Sequence, residues 1–295
     1  MILIIIAVGF ITTKMGRFSA KARADLTDVV IYIILPCNIF SSFDSGITTE
    51  ILKQSGIILL ISLGMQLLYM IINRVAYNNI PPDRRVVMKH ATMINNATFM
   101  GLPVIESVFG HTGVLYGAVI LIPMRIFMWT SGLSLYTKVD KKSSFKTIIT
   151  HPCIWAVFLG FAYALAPFQL PSFISGAISA FGRSITALTM FLVGTILGEV
   201  DIKTVLAKDS FYHAFFRLIA IPAIIFGVLT LIGVDPLVRG VAVLSSAMPT
   251  ATTTVILAEK YKQDVTFASK TLFITTILSM ITLPVIAELL TNVFK

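Results

Sequence analysis

Met93–Gly110 reads MINNATFMGLPVIESVFG, apolar enough for a membrane span yet built to break. Asn95 and Asn96 stand side by side about two turns before Pro103, with Gly101 between them. In an α-helix Pro103 cannot donate to the Phe99 carbonyl, and its ring clashes there. Lipid offers no substitute donor, so a broken backbone at membrane depth belongs inside protein or beside a water-filled cavity. The stretch is expected to line something, with the rest of the chain as its scaffold.

The composition around it agrees. Of 295 residues, 56% are hydrophobic and 13% charged, with mean hydropathy +0.90. A soluble domain carries about 25% charged residues. No soluble core could hold this apolar excess, which places the chain among polytopic all-α membrane proteins and makes the lipid bilayer its first partner. The net charge of +9 fits the positive-inside rule better than nucleic-acid binding, because no basic arm or aromatic-interleaved basic helix accompanies it. Cys37 and Cys153 fall in apolar spans without CxxC spacing and read as inert thiols.

Ten apolar segments follow one another: Met1–Thr13, Leu26–Phe43, Ile51–Ile72, Val86–Phe109, Gly113–Tyr136, Pro152–Ala166, one ending near Gly198, Phe211–Ile232, Leu237–Tyr261 and Val265–Phe294. The seventh begins after a turn bracketed by Pro167 and Pro171. The first is short, because thirteen residues reach ~20 Å against a hydrocarbon core of roughly 30 Å. Part of its start is expected to be missing. No basic region precedes it, so it does not read as a cleavable signal peptide.

Seventeen lysines and arginines fall at the odd-to-even connections, from Lys14 to Lys270, against three on the other side, Lys53, Arg239 and Lys295. The bias predicts a cytoplasmic location for the first set and extracytoplasmic termini, in the cell membrane. Domain organisation follows from the repeat of pattern. Residues 1–137 and 151–295 each hold five segments, joined by the polar linker 138–150. Each half has a proline-interrupted fourth segment, at Pro103 and at Pro249 in SSAMPTATTTVILAEKY. An odd number of spans per half inverts the second relative to the first. Paired breaks at matching places in inverted halves point to a transporter's binding site.

Six hydroxyls flank Pro249: Ser245, Ser246, Thr250, Thr252, Thr253 and Thr254. That exceeds what repair of one helix break requires. The half-helices, expected to begin near Leu102 and Thr250, would point N–H groups and positive dipole ends at an anion. Asn95 and Asn96 would add amide donors, and freed carbonyls such as those of Phe99 and Ser245 could hold a cation or water. Arg125, inside the fifth segment, carries two readings. It is a counter-charge that grips a substrate carboxylate, or it pairs with Glu106 or Asp28 or snorkels past Met124 and Met128. Arg183 reads as a headgroup contact at the outer edge of the seventh segment. His90, His111, His151 and His213 sit at span ends without metal-ligand spacing, so no metal site is expected. No GxSxG, Walker A or GxGxxG element occurs, and no cofactor or enzymatic activity is expected.

The strings N-x-x-F-M-G-L-P-V (Asn96–Val104), M-P-x-x-x-x-x-V-I-L-A-E-K-Y (Met248–Tyr261), I-L-P-x-x-I-F (Ile34–Phe40) and T-L-P-V (Thr282–Val285) together resemble the auxin efflux carrier (PIN-like) family. The resemblance implies ten helices in two inverted five-helix repeats, with crossover helices four and nine broken at proline. Helices one, two, six and seven would form a scaffold, and the others a crossover domain moving as an elevator. It implies secondary transport of small organic anions, malate-, malonate- or auxin-like acids, and maps the crossover asparagine onto Asn96 and the prolines onto Pro103 and Pro249. Thr250 stands where plant members have glutamine, Ile51–Ile72 has no charged pair, and Val139–Thr150 replaces their long loop, which excludes regulation through it. A homodimer through the scaffold helices is the expected assembly. The coupling ion, H+ or Na+, is left open. Two other readings are a sodium-coupled symporter of the bile-acid type and a ligand-binding membrane sensor without transport.

Overall fold

A computed structural model describes residues 2–43, 48–137, 141–165, 169–199 and 208–293. The turn expected at Pro167, and Lys138, Lys203 and Lys295 of the charge pattern, lie outside them. The described residues are helical apart from turns and one isolated β-bridge. In chain order the helices are α1 (Ile2–Lys14), α2 (Ala20–Ser41), α3 (Thr49–Val75), α4 (Pro82–Met93), α5 (Ala97–Gly132), α6 (Lys141–Ile149), α7 (Pro152–Leu165), α8 (Ser172–Gly198), α9 (Lys208–Leu231), α10 (Pro236–Ser246), α11 (Thr253–Lys260) and α12 (Val265–Val293). Six of them, α2, α3, α5, α8, α9 and α12, are long and apolar enough to cross a membrane.

Helix starts are set by side chains that accept the orphan N–H groups of the first turn. Ser19 Oγ accepts from Ala22 N at 3.1 Å, Asp235 Oδ1 from Val238 N at 3.1 Å and Asp264 Oδ1 from Phe267 N at 2.8 Å. Three of the prolines inside helices, though not Pro123 or Pro284, share one device. The π turns Val30–Ile34, Ala97–Gly101 and Phe216–Ala220 each end two residues before a proline, at Pro36, Pro103 and Pro222. Widening the turn to i→i+5 bonding makes room for the ring and spares the missing donor.

This device corrects the expected position of the first break. Pro103 does not break the chain, because the π turn absorbs it and Leu102 N–H bonds to the Ala97 carbonyl. The helix is lost earlier, at Ile94 (φ −120°, ψ 114°) and Asn96 (φ −83°, ψ 40°). The restarts therefore lie at Ala97 and Thr253, not near Leu102 and Thr250.

α5 is a helical hairpin. Gly110 has φ 63° and ψ −157°, a conformation essentially restricted to glycine. A Cβ on Gly117 would come within 2.9 Å of Leu102 Cδ2. In a straight helix fifteen residues separate such atoms by ~22 Å, so 111–132 folds back on 97–109.

Two packing groups emerge. α1 lies along α8, where the backbone carbonyls of Phe191 and Ile6 fill the space a side chain would need at Gly9 and Gly194. Close backbone approach through small residues is the usual driver of helix association in lipid. α2 packs on α7 and α8, with Phe43 against Gly160 and Asn38 Nδ2 donating to the Gly182 carbonyl at 3.3 Å. In the second group α3 packs on α5, tied by Ser62 Oγ to the Ile120 carbonyl at 2.8 Å, while α10 contacts α5 and α9, and α12 contacts α9 and α11. Arg183, expected at the outer edge of the seventh segment, closes the first stretch of α8, Ser172–Arg183, at the turn on Ser184 before the helix resumes at Ile185.

Candidate functional site

The two breaks meet. Asn95 and Thr250 form an antiparallel bridge, and Asn96 N–H donates to the Pro249 carbonyl at 2.8 Å. Asn95 Nδ2 donates to the Ser245 carbonyl at 2.5 Å, and its Oδ1 accepts from Ala97 N at 3.3 Å. Asn95 thus stitches the crossing and starts the second half-helix. The Ser245 carbonyl, expected to be free for a cation, is occupied by this amide.

Asn96 behaves differently. It is 7% exposed, its side chain has no protein hydrogen-bond partner among the described residues, and it lines a cavity of about 740 Å³. Phe99, Thr252 and Thr253 line the same cavity, opposite Leu192 and Val193 of α8 and Ile31 of α2. The cavity reaches the N-terminal parts of α2 and α12, where Arg23, Asp28 and Lys270 border it. At the start of 97–109 the N–H groups of Thr98 and Phe99 find no acceptor among the described residues, nor do those of Thr252 and Thr253 at α11. Unbonded N–H groups and two positive helix ends at one cavity make an anion-binding arrangement. Thr253 lines the cavity, and its Oγ1 is buried without a hydrogen-bond partner among the described residues.

The remaining expected site residues sit behind this wall rather than in it. Pro103 and Pro249 shape the backbone. Thr250 is buried, its N–H donating to Thr275 Oγ1 at 3.2 Å and its Oγ1 lying 3.4 Å from His213 Nε2. Arg125 Nη2 donates to Thr98 Oγ1 at 2.8 Å. It does not line the cavity and has no carboxylate within 4 Å among the described residues. Its expected partners are engaged elsewhere or distant: Glu106 takes the Asn38 amide at 3.4 Å, and Asp28 borders the cavity. Arg125 supports the first turn of the half-helix from behind.

Sequence reading passed over a polar cluster beneath the crossing. Tyr77 OH lies 2.8 Å from Thr92 Oγ1 and 3.3 Å from His213 Nδ1, and His90 Nδ1 lies 2.9 Å from Thr254 Oγ1. Both histidines are 0% exposed, so they are interior hydrogen-bonding residues and not span-end markers. Arg217, also 0% exposed, donates from Nη1 to the Thr92 carbonyl at 2.7 Å and from Nε to the Met248 carbonyl at 3.0 Å. The signal was present: an arginine in the apolar run FFRLIAIP is costly in lipid and marks a partner or cavity. Among the described residues no group of three or more acidic, histidine or cysteine side chains is placed to hold a metal.

Known proteins place this geometry in context. A model of the membrane transport protein family matches residues 1–146 and 136–287. An uncharacterized transporter of Methanocaldococcus jannaschii is 25% identical, covering 99% of this chain and 97% of its own. An uncharacterized transporter of Methanothermobacter thermautotrophicus is 27% identical over 96% and 94% of the two chains. A protein of Rhizobium meliloti, named provisionally as a malonate transporter, is 24% identical over 94% and 90%. Matched from end to end, and built of apolar helices around a broken crossing, the chain belongs to the membrane transport protein family of the auxin efflux carriers, as a multi-pass membrane protein.

Proposed function

We propose that the chain is a secondary transporter of small organic anions, working by alternating access across the cell membrane. One observation carries this reading: the unpartnered Asn96 amide, the Thr253 hydroxyl and the N-terminal ends of two half-helices converge on one cavity of about 740 Å³. A carboxylate placed beside Asn96 accepts hydrogen bonds from N–H and amide groups that have no protein partner. Asp28, the one acid among the described residues bordering the cavity, is accompanied there by Arg23 and Lys270.

In this reading residues 1–137 and 151–295 are inverted five-helix repeats joined by the linker 138–150, and α4 with 97–109 and α10 with α11 are the crossover helices. α1, α2, α7 and α8 are the scaffold and the second packing group is the moving body. The cavity lies at the seam, where Asn96, Phe99 and Thr253 face Leu192 and Val193. Sliding one body along the other would carry the anion past that apolar wall. Both termini are extracytoplasmic on the charge bias, so the cavity, which reaches toward Arg23 and Lys270, opens to the cytoplasm. The malonate name of the Rhizobium meliloti relative supports short dicarboxylates as the first class to test. A second copy docked through the scaffold would leave the moving body free.

The test is melting of purified protein against mono- and dicarboxylates, with and without Na+ and at two pH values, followed by flux into proteoliposomes with the best ligand. Saturable uptake, lost in Asn96→Ala, is expected. Ligand stabilisation without flux would replace transport with sensing, and strict Na+ dependence would favour the bile-acid type of symport.

A further inference from the structure

Arg217 is a buried cation for which the transport reading has no use. It lies in the π turn Phe216–Ala220 of α9, 0% exposed, with no carboxylate within 4 Å among the described residues. A buried guanidinium without compensation is costly. Its compensation comes from backbone: the Thr92 carbonyl in the last turn of α4 and the Met248 carbonyl just past α10, at 2.7 and 3.0 Å, with the Tyr69 ring beneath it at 5.2 Å. Each helix C-terminus carries about −0.5 of an elementary charge, so the two ends together balance one guanidinium.

The crossing is therefore polarised. Its N-terminal ends, at Ala97 and Thr253, face the cavity, and its C-terminal ends face Arg217. Thr92 is four residues from Asn96 and Met248 four from Thr252, and four residues of chain span at most ~14 Å. Without the guanidinium, two negative helix ends would oppose an anion at that range. The direct contact between the two breaks is also small, one β-bridge with its Asn96 N–H to Pro249 carbonyl bond and the Asn95 amide on the Ser245 carbonyl.

Resting on the anion-transport reading, we propose that Arg217 is a positioning residue of the anion site. It neutralises the C-terminal ends of both half-helix pairs and ties both breaks to α9, so that Asn96 and Thr253 face the ligand as one unit in a positive field. It touches no substrate. Its effect is on affinity, through charge and register.

The experiment is a malonate titration of Arg217→Gln and Arg217→Lys, read as Kd per folded protein, with flux at saturating malonate. A unit charge at ~14 Å and an effective dielectric of about 20 changes binding by nearly tenfold. Arg217→Gln is expected to weaken malonate about tenfold by that estimate, with saturated flux retained, and Arg217→Lys to bind near wild type at neutral pH. The lysine, unlike the guanidinium, can lose its proton, whereas Tyr69, and Tyr77 and His213 beside Thr92, are common to both proteins. The affinity of Arg217→Lys relative to wild type at the same pH should therefore fall as pH rises. This second measurement stands even if Arg217→Gln does not fold. Wild-type Kd in Arg217→Gln, or a pH profile of Arg217→Lys that is flat relative to wild type, overturns the assignment alone. Failure of every tested carboxylate to bind wild type would overturn the anion reading and this assignment with it.

Discussion

Asn95 and Asn96 are neighbours of identical chemistry with opposite duties, and alanine at each should separate them. Asn95→Ala deletes the donor to the Ser245 carbonyl and the acceptor for Ala97 N–H. Both orphaned groups lie in buried backbone, Ser245 at 3% and Ala97 at 2% exposure. An unsatisfied buried group costs about 1–3 kcal/mol, so the pair costs about 2–6 kcal/mol. In chains of about 150–250 residues roughly 2–4 °C of melting temperature accompany each kcal/mol, and a fall of about 4 °C or more is expected on that scale. Asn96→Ala removes an amide with no protein partner, and its melting should stay at wild type without ligand. Its loss appears on adding malonate: one hydrogen bond to a charged group is worth about 1.5–3 kcal/mol, roughly tenfold to a hundredfold in Kd. The assay is melting of each purified variant in detergent, with and without malonate. If Asn95→Ala melts with wild type while Asn96→Ala is destabilised, the division of labour read from these hydrogen bonds is wrong.

Four further substitutions test the scaffolding. Gly110→Ala forces a side chain onto φ 63°, a strain of about 1–3 kcal/mol, and should lower the melting temperature without changing Kd. Gly194→Leu drives a side chain into the Ile6 carbonyl and should prevent α1 from seating on α8, seen as loss of monodisperse protein in size-exclusion chromatography. Arg125→Lys should leave malonate affinity at wild type, because the guanidinium bonds Thr98 and does not line the cavity; a large rise in Kd would return Arg125 to the ligand. Arg84 bridges Asp209 at 3.2 Å and Asp264 at 3.1 Å with its side chain 41% exposed. Arg84→Ala should cost no more than about 1 kcal/mol per pair, with the difference from wild type shrinking in high salt.

Much of this protein is legible one residue at a time. Apolar length marks the spans, because lipid demands satisfied backbone over a fixed thickness. The two disturbed stretches show as proline beside clustered polar side chains, and the match to the membrane transport protein family runs over residues 1–146 and 136–287. Which residue inside a stretch breaks the helix was not local. Pro103 looked decisive, yet a π turn absorbs it and the chain opens at Ile94–Asn96, where the second break supplies the partner for the lost hydrogen bonds. Arg125 and Arg217 look alike in sequence, each alone in an apolar run. Only tertiary contact makes one a brace for Thr98 and the other a clamp on two carbonyls 156 residues apart in the chain, at Thr92 and Met248. The physical reason is the same throughout. Burying apolar surface in lipid depends on composition and length, which a sequence carries. The partner of a buried N–H, carbonyl or guanidinium depends on what another helix brings within 3 Å, which only the packed structure decides.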